Sequence, residues 1–514
     1  MFHLIASFKL PLFGEMYMVR WSIIVPLFLC FLAFPPVTSR PPPPTVCIIG
    51  SGIGGSSVSH FLRQYAPSYN VSTDFNIRIF ERHNIVGGRM ATVNIAGDTF
   101  EAGASILHPK NFHALRFTEL LNLTVKKPSS SGSFSLGIWD GHKFVFRTLT
   151  SGLTSTVPFV DKIVELWNQL VMFLRYGFSL LRMEEFVERA VEQFSKYYEG
   201  FESRPVFETV NKMLNWSGLY KLTTRTLYEE LIDARLSRLL IQELVTVITR
   251  INYGQSVSIS GLAGAVSLAG SGGGLWSVEG GNWQIAARLI NHSDSTLHLE
   301  EEIKSISYRG EYYEVKSNKG NNYSCEVTVV ATPVDEVNIQ FTPPIIIPKR
   351  ELQHTHTTFV RGLLNPAYFG LKASSKLPKL VGTTETENVQ FSSISVLKQH
   401  DENDMTYKIF SRKPMEDTLL DKIFRIRTET IRIDWAAYPH FKAPEVFAPF
   451  ILDGQHLYYV NAFENAASTM ETSAVAAENI ARLILSRFFA KVGTDSLHFS
   501  LDSARDASAL HIDL

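Results

Sequence analysis

The stretch Thr45–Gly55, TVCIIGSGIGG, decides the fold. Its first five residues form a short apolar run, rich in β-branched side chains, with prolines before it and a glycine after it. This pattern is typical of a buried parallel strand. The glycine-rich part follows at once, and in Ser56–Tyr65 the residues Val58, Phe61 and Leu62 recur at helical spacing. The predicted order is therefore a strand, a tight glycine turn and a helix.

Four glycines of this turn are candidate cofactor-binding residues, namely Gly50, Gly52, Gly54 and Gly55. Gly50 lets the chain turn, Gly52 lets the backbone approach a pyrophosphate, and Gly55 lets the helix pack closely on the strand. The free amide groups at the start of the helix would then face the anion. A lone glycine pattern is weak evidence, so the interpretation as a dinucleotide site depends on its context.

An acidic residue stands where a nucleotide-binding fold places a ribose ligand. After a loop at Pro67–Asn76, the apolar strand Ile77–Phe80 ends in Glu81, whose carboxylate can accept hydrogen bonds from an adenosine ribose. The spacing from the glycines exceeds the usual ~20 residues, and the loop accounts for the excess. The alternative is that Glu81 is a solvated charge at the end of a strand.

A glycine pair and an arginine follow in Val86–Arg89, and Asp98–Ser105 comes next with the sequence DTFEAGAS. This continuation resembles that of the large class of two-domain flavoproteins that includes amine oxidases, phytoene desaturases and Rab escort proteins. The resemblance implies FAD rather than NAD. A forked guanidinium can donate to phosphate, and a surface ion pair is the alternative for the arginine. The candidate cofactor residues in this segment are Gly88 and Arg89 at the phosphates and Gly103 and Ser105 along the ribityl chain.

Two later parts of the chain fit the same fold. Leu297–Ile306, Tyr312–Lys316 and Val327–Pro333 predict a small meander that returns to the central sheet. Near the C-terminus, Leu457–Ala462 predicts a strand and Thr469–Leu485 predicts an alanine-rich helix. The first amide groups of that helix, capped by Ser468 or Thr469, can stabilise negative charge on a reduced flavin, and a plain core helix is the alternative. The candidate cofactor residues in these parts are Ile303 at the adenine, Thr332 at the strand end, Asn461 and Met470.

The predicted fold class is α/β, a two-domain Rossmann-like FAD-binding protein with a discontinuous cofactor domain and an α+β substrate domain that contains apolar helices. The apolar segments Phe159–Leu181 and Leu227–Ile251 predict those helices, with a plain core role as the alternative to a ligand cavity. The predicted order is a signal peptide at 1–39, cofactor-binding parts at 45–110, 255–335 and 451–490, substrate-domain parts at 111–254 (helical) and 336–450, and a C-terminal tail at 491–514.

The candidate substrate residues are aromatic. The glycine-rich segment Asn252–Trp283 would line a cavity or let the cofactor approach, and a loop and helix ends are the alternative. Its Gly280–Gly281 pair, after Trp276, resembles a segment that many of these flavoproteins place near the isoalloxazine. Trp435 and Tyr438 would wall the active site, although packing alone also explains them. The sequence singles out no nucleophile–base pair and no metal ligands.

The N-terminus and the charge balance bear on compartment and partners. Arg20 precedes the apolar stretch Trp21–Phe34, which falls short of the ~20 residues that a membrane span needs. A cleaved signal peptide is therefore favoured over a retained anchor. The 514 residues include 49 basic and 50 acidic ones, which argues against a nucleic-acid partner.

Five acceptor triplets predict N-glycosylation, which together with the signal peptide indicates the lumen of the secretory pathway. Of the three cysteines, Cys30 falls in the predicted signal, and a bridge between Cys47 and Cys325 is only a weak expectation. Stability is therefore expected from the core. The acceptor residues are Asn70, Asn122, Asn215, Asn291 and Asn322.

Four stretches together resemble the prenylcysteine oxidase family, also called prenylcysteine lyase: Ile48–Arg63, Phe80–Asn111, Ile251–Asn282 and Tyr458–Ala481. The resemblance implies non-covalent FAD and a substrate left by the degradation of prenylated proteins. Farnesylcysteine or geranylgeranylcysteine would be split at the thioether, with oxygen and water, into a prenyl aldehyde, free cysteine and hydrogen peroxide. It also implies a lysosomal or vacuolar enzyme without an obligate protein partner, and association with a membrane surface is a further expectation.

Two other functions stay open at this point. An amine oxidase of the same fold would abstract a hydride from a carbon beside nitrogen and would produce peroxide from polyamines or monoamines. A binding module of the Rab escort type would hold prenyl groups without redox chemistry. The predicted signal peptide and the cluster of glycines with Glu81 and Arg89 argue against the module.

Overall fold

The structure is a computed structural model that describes residues 42–126, 135–149, 158–201, 203–372 and 377–490. The predicted signal peptide at 1–39 and the predicted tail at 491–514 lie outside the described residues. The described residues from Pro44 onward form one compact unit. Within it, two sheets and a group of helices surround the cavity described below.

The strands and helices have the following bounds. The strands are β1 Thr45–Ile49, β2 Asn76–Phe80, β3 Thr92–Ile95, β4 Asp98–Glu101, β5 Val125–Lys126, β6 Leu136–Trp139, β7 Phe144–Arg147, β8 Ser277–Val278, β9 Thr296–His298, β10 Ile303–Tyr308, β11 Tyr313–Ser317, β12 Asn322–Cys325, β13 Val327–Val330, β14 Gln340–Thr342, β15 Leu352–Leu364, β16 Leu380–Thr383, β17 Ser393–Gln399, β18 Met405–Ser411, β19 Phe424–Pro439 and β20 Leu457–Tyr459. The helices are α1 Ile53–Tyr65, α2 Phe112–Leu120, α3 Pro158–Tyr176, α4 Ser179–Ser195, α5 Val210–Ser217, α6 Leu227–Asp233, α7 Arg238–Leu240, α8 Thr246–Tyr253, α9 Gly261–Ala269, α10 Trp283–His292, α11 Asp417–Ile423 and α12 Met470–Ile484, and a π-helical turn, Ile241–Val245, joins α7 to α8.

A parallel sheet in the order β20, β13, β1, β2, β9 forms the cofactor half of the molecule. β1 runs through its centre, and from Val46 to Ile49 the strand is buried, as expected for a parallel strand that is covered on both faces. α1 packs against both α10 and α12. The strands come from separated parts of the chain, as the sequence analysis predicted for the cofactor domain.

A meander of β10, β11 and β12 follows β9, and β13 then returns to the central sheet beside β1. The sequence predicted this return. A disulfide between Cys47 of β1 and Cys325 of β12 ties the meander to the sheet, and both cysteines are buried. The sequence analysis gave this bridge little weight, since the two residues are 278 positions apart and only the sheet topology brings their Cα atoms to 5.8 Å.

A mixed sheet in the order β19, β15, β18, β17, β16, β6, β7 forms the second half. Its outer strands β6 and β7 come from 136–147, which the sequence analysis assigned to the helical range 111–254. The structure differs there because Leu136–Trp139 is a short run buried at every position, and it pairs in parallel with β16 from far along the chain. Such a run carries no helical periodicity.

Helices α4, α6 and α9 share a buried apolar cluster with the π-helical turn on the substrate side. α9 occupies part of the range 255–335 that the sequence analysis gave to the cofactor domain, and of the segment interpreted as glycine-rich cavity lining. Ser260 caps it, and a Cβ on Gly264 would meet the side chain of Leu227 at 2.5 Å. The glycines therefore serve close helix packing here, and the structure places α9 with the substrate half.

Candidate functional site

A cavity of about 540 Å³ lies between the ends of the central parallel strands and the long β15–β19 pair. Open parallel sheets bind their ligands beyond the carboxyl ends of the strands, which is where this cavity begins. The glycine turn, the ends of β2 and β13, and the start of α12 line one side of it. Residues of β15 and β19 line the facing side.

The glycine turn is packed so closely that most side chains are excluded. Gly50 has a φ of +109°, and a Cβ on it would meet the carbonyl oxygen of Ala331 at 2.6 Å. A Cβ on Gly55 would meet the carbonyl oxygen of Gly50 at 2.0 Å, and one on Gly54 would meet Val460 at 3.1 Å. Gly52 is different. It lines the cavity, and a Cβ on it would have its nearest neighbour, the carbonyl oxygen of Gly87, 3.7 Å away. The structure thus places a glycine with free space around it at the N-terminus of α1, where the backbone can approach an anion.

Glu81 lies beside this turn at the end of β2 and is 6% exposed. Its Oε2 accepts hydrogen bonds from the hydroxyl of Ser51 at 2.6 Å and from the amide of Ser51 at 3.1 Å. Its Oε1 accepts from the amide of His83 at 3.0 Å. The carboxylate lines the cavity, so it is held in place by the chain while facing the region predicted for a ribose.

Arg89 has protein partners that the sequence did not reveal. Gly87 and Gly88 both have positive φ, and Gly87 forms a bridge with Gly52, which brings this loop against the glycine turn. The guanidinium of Arg89 donates to the carbonyl of Ala437 at 2.6 Å and pairs with Glu464 at 2.5 Å. The side chain therefore links the loop to β19 and to the C-terminal segment. It lines the cavity as predicted, and its role at a phosphate stays a prediction.

Glu464 is a buried anion between two arginines. Burial by itself raises the pKa of this carboxyl, but Arg89 and Arg350 oppose that effect, and the pKa is lowered to about 2. Arg350 also pairs with Asp335 at 2.6 Å. The carboxylate is thus ionised at every physiological pH and fixes the position of Arg89.

The segment after Arg89 contributes unequally to the cavity. Gly103 lines it, and a Cβ there would meet the carbonyl oxygen of Arg89 at 2.0 Å. Ser105 is not part of the lining, since its hydroxyl donates to the carbonyl of Gly103 and receives a hydrogen bond from Lys408 at 2.9 Å. Burial lowers the pKa of Lys408 to about 8, although nearby Glu101 opposes this shift. Ser105 therefore supports the cavity wall from behind in this structure.

The other predicted cofactor residues converge on the same cavity. Ile303, Thr332, Asn461 and Met470 all line it. Thr469 caps α12, as predicted, by accepting a hydrogen bond from the amide of Thr472 at 3.0 Å. The Oδ1 atom of Asn461 is buried and has no hydrogen-bond partner among the described residues. A buried acceptor of this kind is costly unless a ligand or water satisfies it, so it marks a place for a polar group of a bound molecule.

The facing wall comes from β15 and β19. Trp435 and Tyr438 line the cavity, and the indole of Trp435 donates to the carbonyl of Ala102 at 3.1 Å. Thr355 and Thr357 stand on the same face of β15 and line it too, and neither hydroxyl has a partner among the described residues. Ile251 completes an apolar edge. The wall thus combines apolar and aromatic side chains with polar ones, since His354 and Asp434 line it as well, and the hydroxyl groups of Thr355 and Thr357 are free for a bound molecule among the described residues.

Comparisons with known proteins agree with this arrangement. The family model described as "Prenylcysteine lyase" matches residues 159–495, and one described as "NAD(P)-binding Rossmann-like domain" matches residues 48–120. The chain belongs to the prenylcysteine lyase family. It is 66% identical to the farnesylcysteine lyase of Arabidopsis thaliana over 92% of this chain and 93% of that protein. It is 35% identical to human prenylcysteine oxidase 1 over 87% of this chain and 90% of that one.

Solved structures extend the relationship at the level of the fold. A putrescine oxidase bound to putrescine superposes with a TM-score of 0.56 at 13% identity, covering 86% of this chain and 99% of that one. The cyclohexylamine oxidase of Brevibacterium oxydans superposes with a TM-score of 0.57 at 17% identity, covering 87% and 99%. At such low identity the likeness shows a shared two-part α/β fold, in agreement with the predicted fold class.

One predicted substrate residue of this family member lies elsewhere. Trp276 is 5% exposed, packs in the core of the cofactor half and donates through its indole to the carbonyl of His108 at 3.2 Å. It forms a bridge with Leu107 and is not part of the cavity lining, and neither is the Gly280–Gly281 pair. Trp276 serves packing here, because its bridge with Leu107 and the pairing of β8 with β5 hold the segment in place.

Sequence reasoning missed Thr355 and Thr357, which stand two residues apart in HTHTTF. Alternate positions of a strand point to one face, so two threonines at this spacing inside a strand were a usable signal. The five predicted glycosylation sites are all exposed, namely Asn70, Asn122, Asn215, Asn291 and Asn322. Among the residues that the structure describes, no group of histidine, cysteine and acidic side chains forms a metal site.

Proposed function

We propose that the protein is an FAD-dependent thioether oxidase that cleaves prenylcysteine. Farnesylcysteine or geranylgeranylcysteine, oxygen and water would give a prenyl aldehyde, free cysteine and hydrogen peroxide. The observation that carries the proposal is a continuous cavity that joins a dinucleotide cradle to a wall with apolar and aromatic side chains. It occurs in a chain that is similar over nearly its whole length to a farnesylcysteine lyase.

The residues present fit a bound FAD. Gly52 leaves room at the start of α1 for a pyrophosphate, Glu81 offers a fixed carboxylate to a ribose, and Asn461 offers a buried acceptor without a partner. Non-covalent attachment is part of the proposal, and it is supported against a cysteine linkage because Cys47 and Cys325 are bonded to each other and neither offers a thiol. When bound, FAD supplies the chemistry of accepting a hydride from the substrate and passing the electrons to oxygen.

The chain itself would bind and orient the substrate. Ile251, Trp435 and Tyr438 give apolar contact for an isoprenoid chain, and apolar and aromatic lining of this kind suits a lipid-like ligand. Loss of hydride from the carbon beside sulfur leaves a cation that the sulfur and the neighbouring alkene stabilise. Water then adds its oxygen to that carbon and releases a proton, and the carbon–sulfur bond breaks to give the aldehyde and the thiol. Thr355 and Thr357 are positioned to form hydrogen bonds with the polar atoms of the reacting substrate.

A luminal location accompanies the proposed reaction, with the lysosome or vacuole as the organelle. Three features support it. The described cysteines form a disulfide, which persists in oxidising compartments, and the five acceptor asparagines are exposed. The N-terminal stretch Trp21–Phe34 has the length and apolar character of a signal peptide.

Incubation of the purified protein with farnesylcysteine tests the proposal. We expect a yellow protein that forms aldehyde and peroxide in equal amounts, without nicotinamide and without a second protein. A protein that retains flavin but forms neither product would overturn the proposed reaction. Peroxide from putrescine instead would establish the amine oxidase alternative, and a colourless protein that binds farnesylcysteine would establish the binding module.

A further inference from the structure

Helix α3 presents a stripe of large apolar side chains to solvent, beside the exposed polar residues Lys162, Glu165 and Gln169. Leu166, Trp167, Leu170 and Leu174 are 69%, 50%, 46% and 74% exposed. They recur at spacings of three and four residues, so they form one stripe along the helix. A surface helix of a globular protein ordinarily has the opposite arrangement. The stripe therefore needs a cause other than folding of this chain.

The polar residues of α3 hold it to the protein. Arg175 forms a two-bond ion pair with Glu243 of the π-helical turn, at 2.6 and 2.7 Å, and Tyr176 donates to the same carboxylate at 2.8 Å. Asn168 bonds the backbone of Leu149 through both ends of its amide, at 2.7 and 3.0 Å. Because these contacts fix the rotation of the helix about its axis, the outward orientation of the stripe is built into the fold.

The apolar surface continues beyond the helix. The rings of Phe173 and Phe178 meet at 5.5 Å, edge to face, and Phe178 and Leu181 are 66% and 56% exposed. The resulting apolar patch exceeds the scattered exposure that is normal for a soluble protein and indicates an interaction site. Its members are Ile163, Leu166, Trp167, Leu170, Phe173, Leu174, Phe178 and Leu181.

Positive charge borders one end of this apolar patch. Arg182 donates to the carbonyl of Arg235 at 2.7 Å, and Arg238 follows in the next turn, where Ser237 is held by Ser179 of α4. All three arginines are exposed, and none forms an ion pair with a carboxylate among the described residues. Apolar and aromatic side chains beside unpaired cations are the composition of helices that lie in the surface of an anionic bilayer.

We propose that the apolar patch docks on an anionic lipid bilayer, with α3 lying in the plane of the interface. Among the described helices none has the length and hydropathy to cross a membrane, so the contact is with one leaflet. The inner face of α3 adjoins the cavity, because Val171 and Met172 pack in the same cluster as Ile251, which lines it.

Vesicle binding of the full-length protein tests the proposal without any substrate, so its outcome is independent of the proposed reaction. We expect the protein to float with vesicles of equimolar phosphatidylcholine and phosphatidylserine. Leu166→Glu with Leu174→Glu should weaken that binding by at least about tenfold. Ile346→Glu with Val446→Glu is the matched control, since those residues are 94% and 63% exposed on other parts of the chain, and it should bind as the parent does.

A second variant tests the charged border. Arg235→Gln with Arg238→Gln should lower binding to the anionic vesicles by about tenfold and leave binding to pure phosphatidylcholine unchanged. This arginine variant also keeps the proposal testable if the variant with Leu166→Glu and Leu174→Glu fails to fold, as judged by flavin content and melting temperature. Lipids brominated on the acyl chains should quench tryptophan emission in the parent and less so in Trp167→Phe.

Three results would overturn the proposal. The first is that the parent protein does not float with anionic vesicles. The second is that the variant with Leu166→Glu and Leu174→Glu floats as well as the parent does. The third is a parent dimer that the same substitutions convert to a monomer in sedimentation while vesicle binding is unaffected, which would assign the apolar patch to a second copy of this chain.

Discussion

The two sides of the cavity are built in different ways. On the cofactor side the glycine turn contributes backbone atoms, and Gly50, Gly52 and Gly55 come from six consecutive residues whose packing tolerates no side chain at the first and last of them. On the facing side the groups are side chains, and Thr355 and Trp435 are neighbours only because β15 pairs with β19, eighty positions further along the chain. Backbone requirements leave a local signature in sequence, whereas a wall of side chains depends on the register of distant strands.

The largest expected effect is on the cofactor side, at Gly55. In Gly55→Ala the new Cβ would lie 2.0 Å from the carbonyl oxygen of Gly50, so α1 must move off β1. Alanine is the better helix former, so any loss must come from that contact. We expect a destabilisation of about 3 kcal/mol or more and loss of bound flavin, measured by denaturant unfolding and by absorbance.

The matched control is Gly273→Ala, because a Cβ at Gly273 meets nothing within 4 Å. It should keep both the stability and the flavin of the parent. A Gly55→Ala protein that also keeps both would show that the cofactor side tolerates side chains as the facing wall does, and the contrast between the two sides would fail.

The next effect is on the facing wall, at Thr357. Its hydroxyl is buried without a partner among the described residues, so Thr357→Val removes an unsatisfied group and should stabilise the free protein by about 1 kcal/mol. If the hydroxyl serves a bound molecule, kcat/KM for farnesylcysteine should nevertheless fall by about tenfold. Stability and activity would then move in opposite directions.

Thr328→Val provides the comparison for this wall residue. Thr328 of β13 is equally buried, its hydroxyl is also without a partner among the described residues, and it does not line the cavity. It should gain stability and keep kcat/KM. Equal kcat/KM in both variants and in the parent would remove Thr357 from the site.

The third effect appears only as a change with pH and belongs to the seam between the two sides, where Lys408 of β18 donates to the carbonyl of Glu101 at 2.9 Å. Burial raises the pKa of the Glu101 carboxyl to about 7, against the opposing hydrogen bond from Asn282. The folded protein therefore holds this proton more tightly than the unfolded chain does. The resulting stability is full below about pH 4.5 and is lost as the pH rises through about 7.

Glu101→Gln removes this titration. Between pH 4.5 and 7 the free energy of unfolding of the parent should fall relative to that of the variant by an amount on the order of 2 kcal/mol. Glu311→Gln, at an exposed position, should follow the parent across the same range. Parallel curves for the parent and Glu101→Gln would mean that this carboxyl titrates normally and that the seam is open to water.

Local patterns predicted the cofactor half well, and long-range contacts explain the rest. The strand–turn–helix at Thr45–Tyr65, the return of β13 and the cap of α12 by Thr469 each depend on neighbouring residues, and each is present. Trp276 shows the limit, since an aromatic residue beside glycines has the same local appearance in a core as in a substrate wall. Its position was decided by the bridge with Leu107.

By itself, the sequence determined the dinucleotide half, because a glycine that must avoid a backbone oxygen and a carboxylate at a strand end are constraints that single positions carry. Only the tertiary structure decided which side chains share the cavity, that Cys47 and Cys325 are bonded, that Arg89 is fixed by Glu464, and that α3 turns its apolar stripe outward. The physical reason is that burial, ion pairing and helix orientation are properties of groups distant in the chain, which no local pattern records.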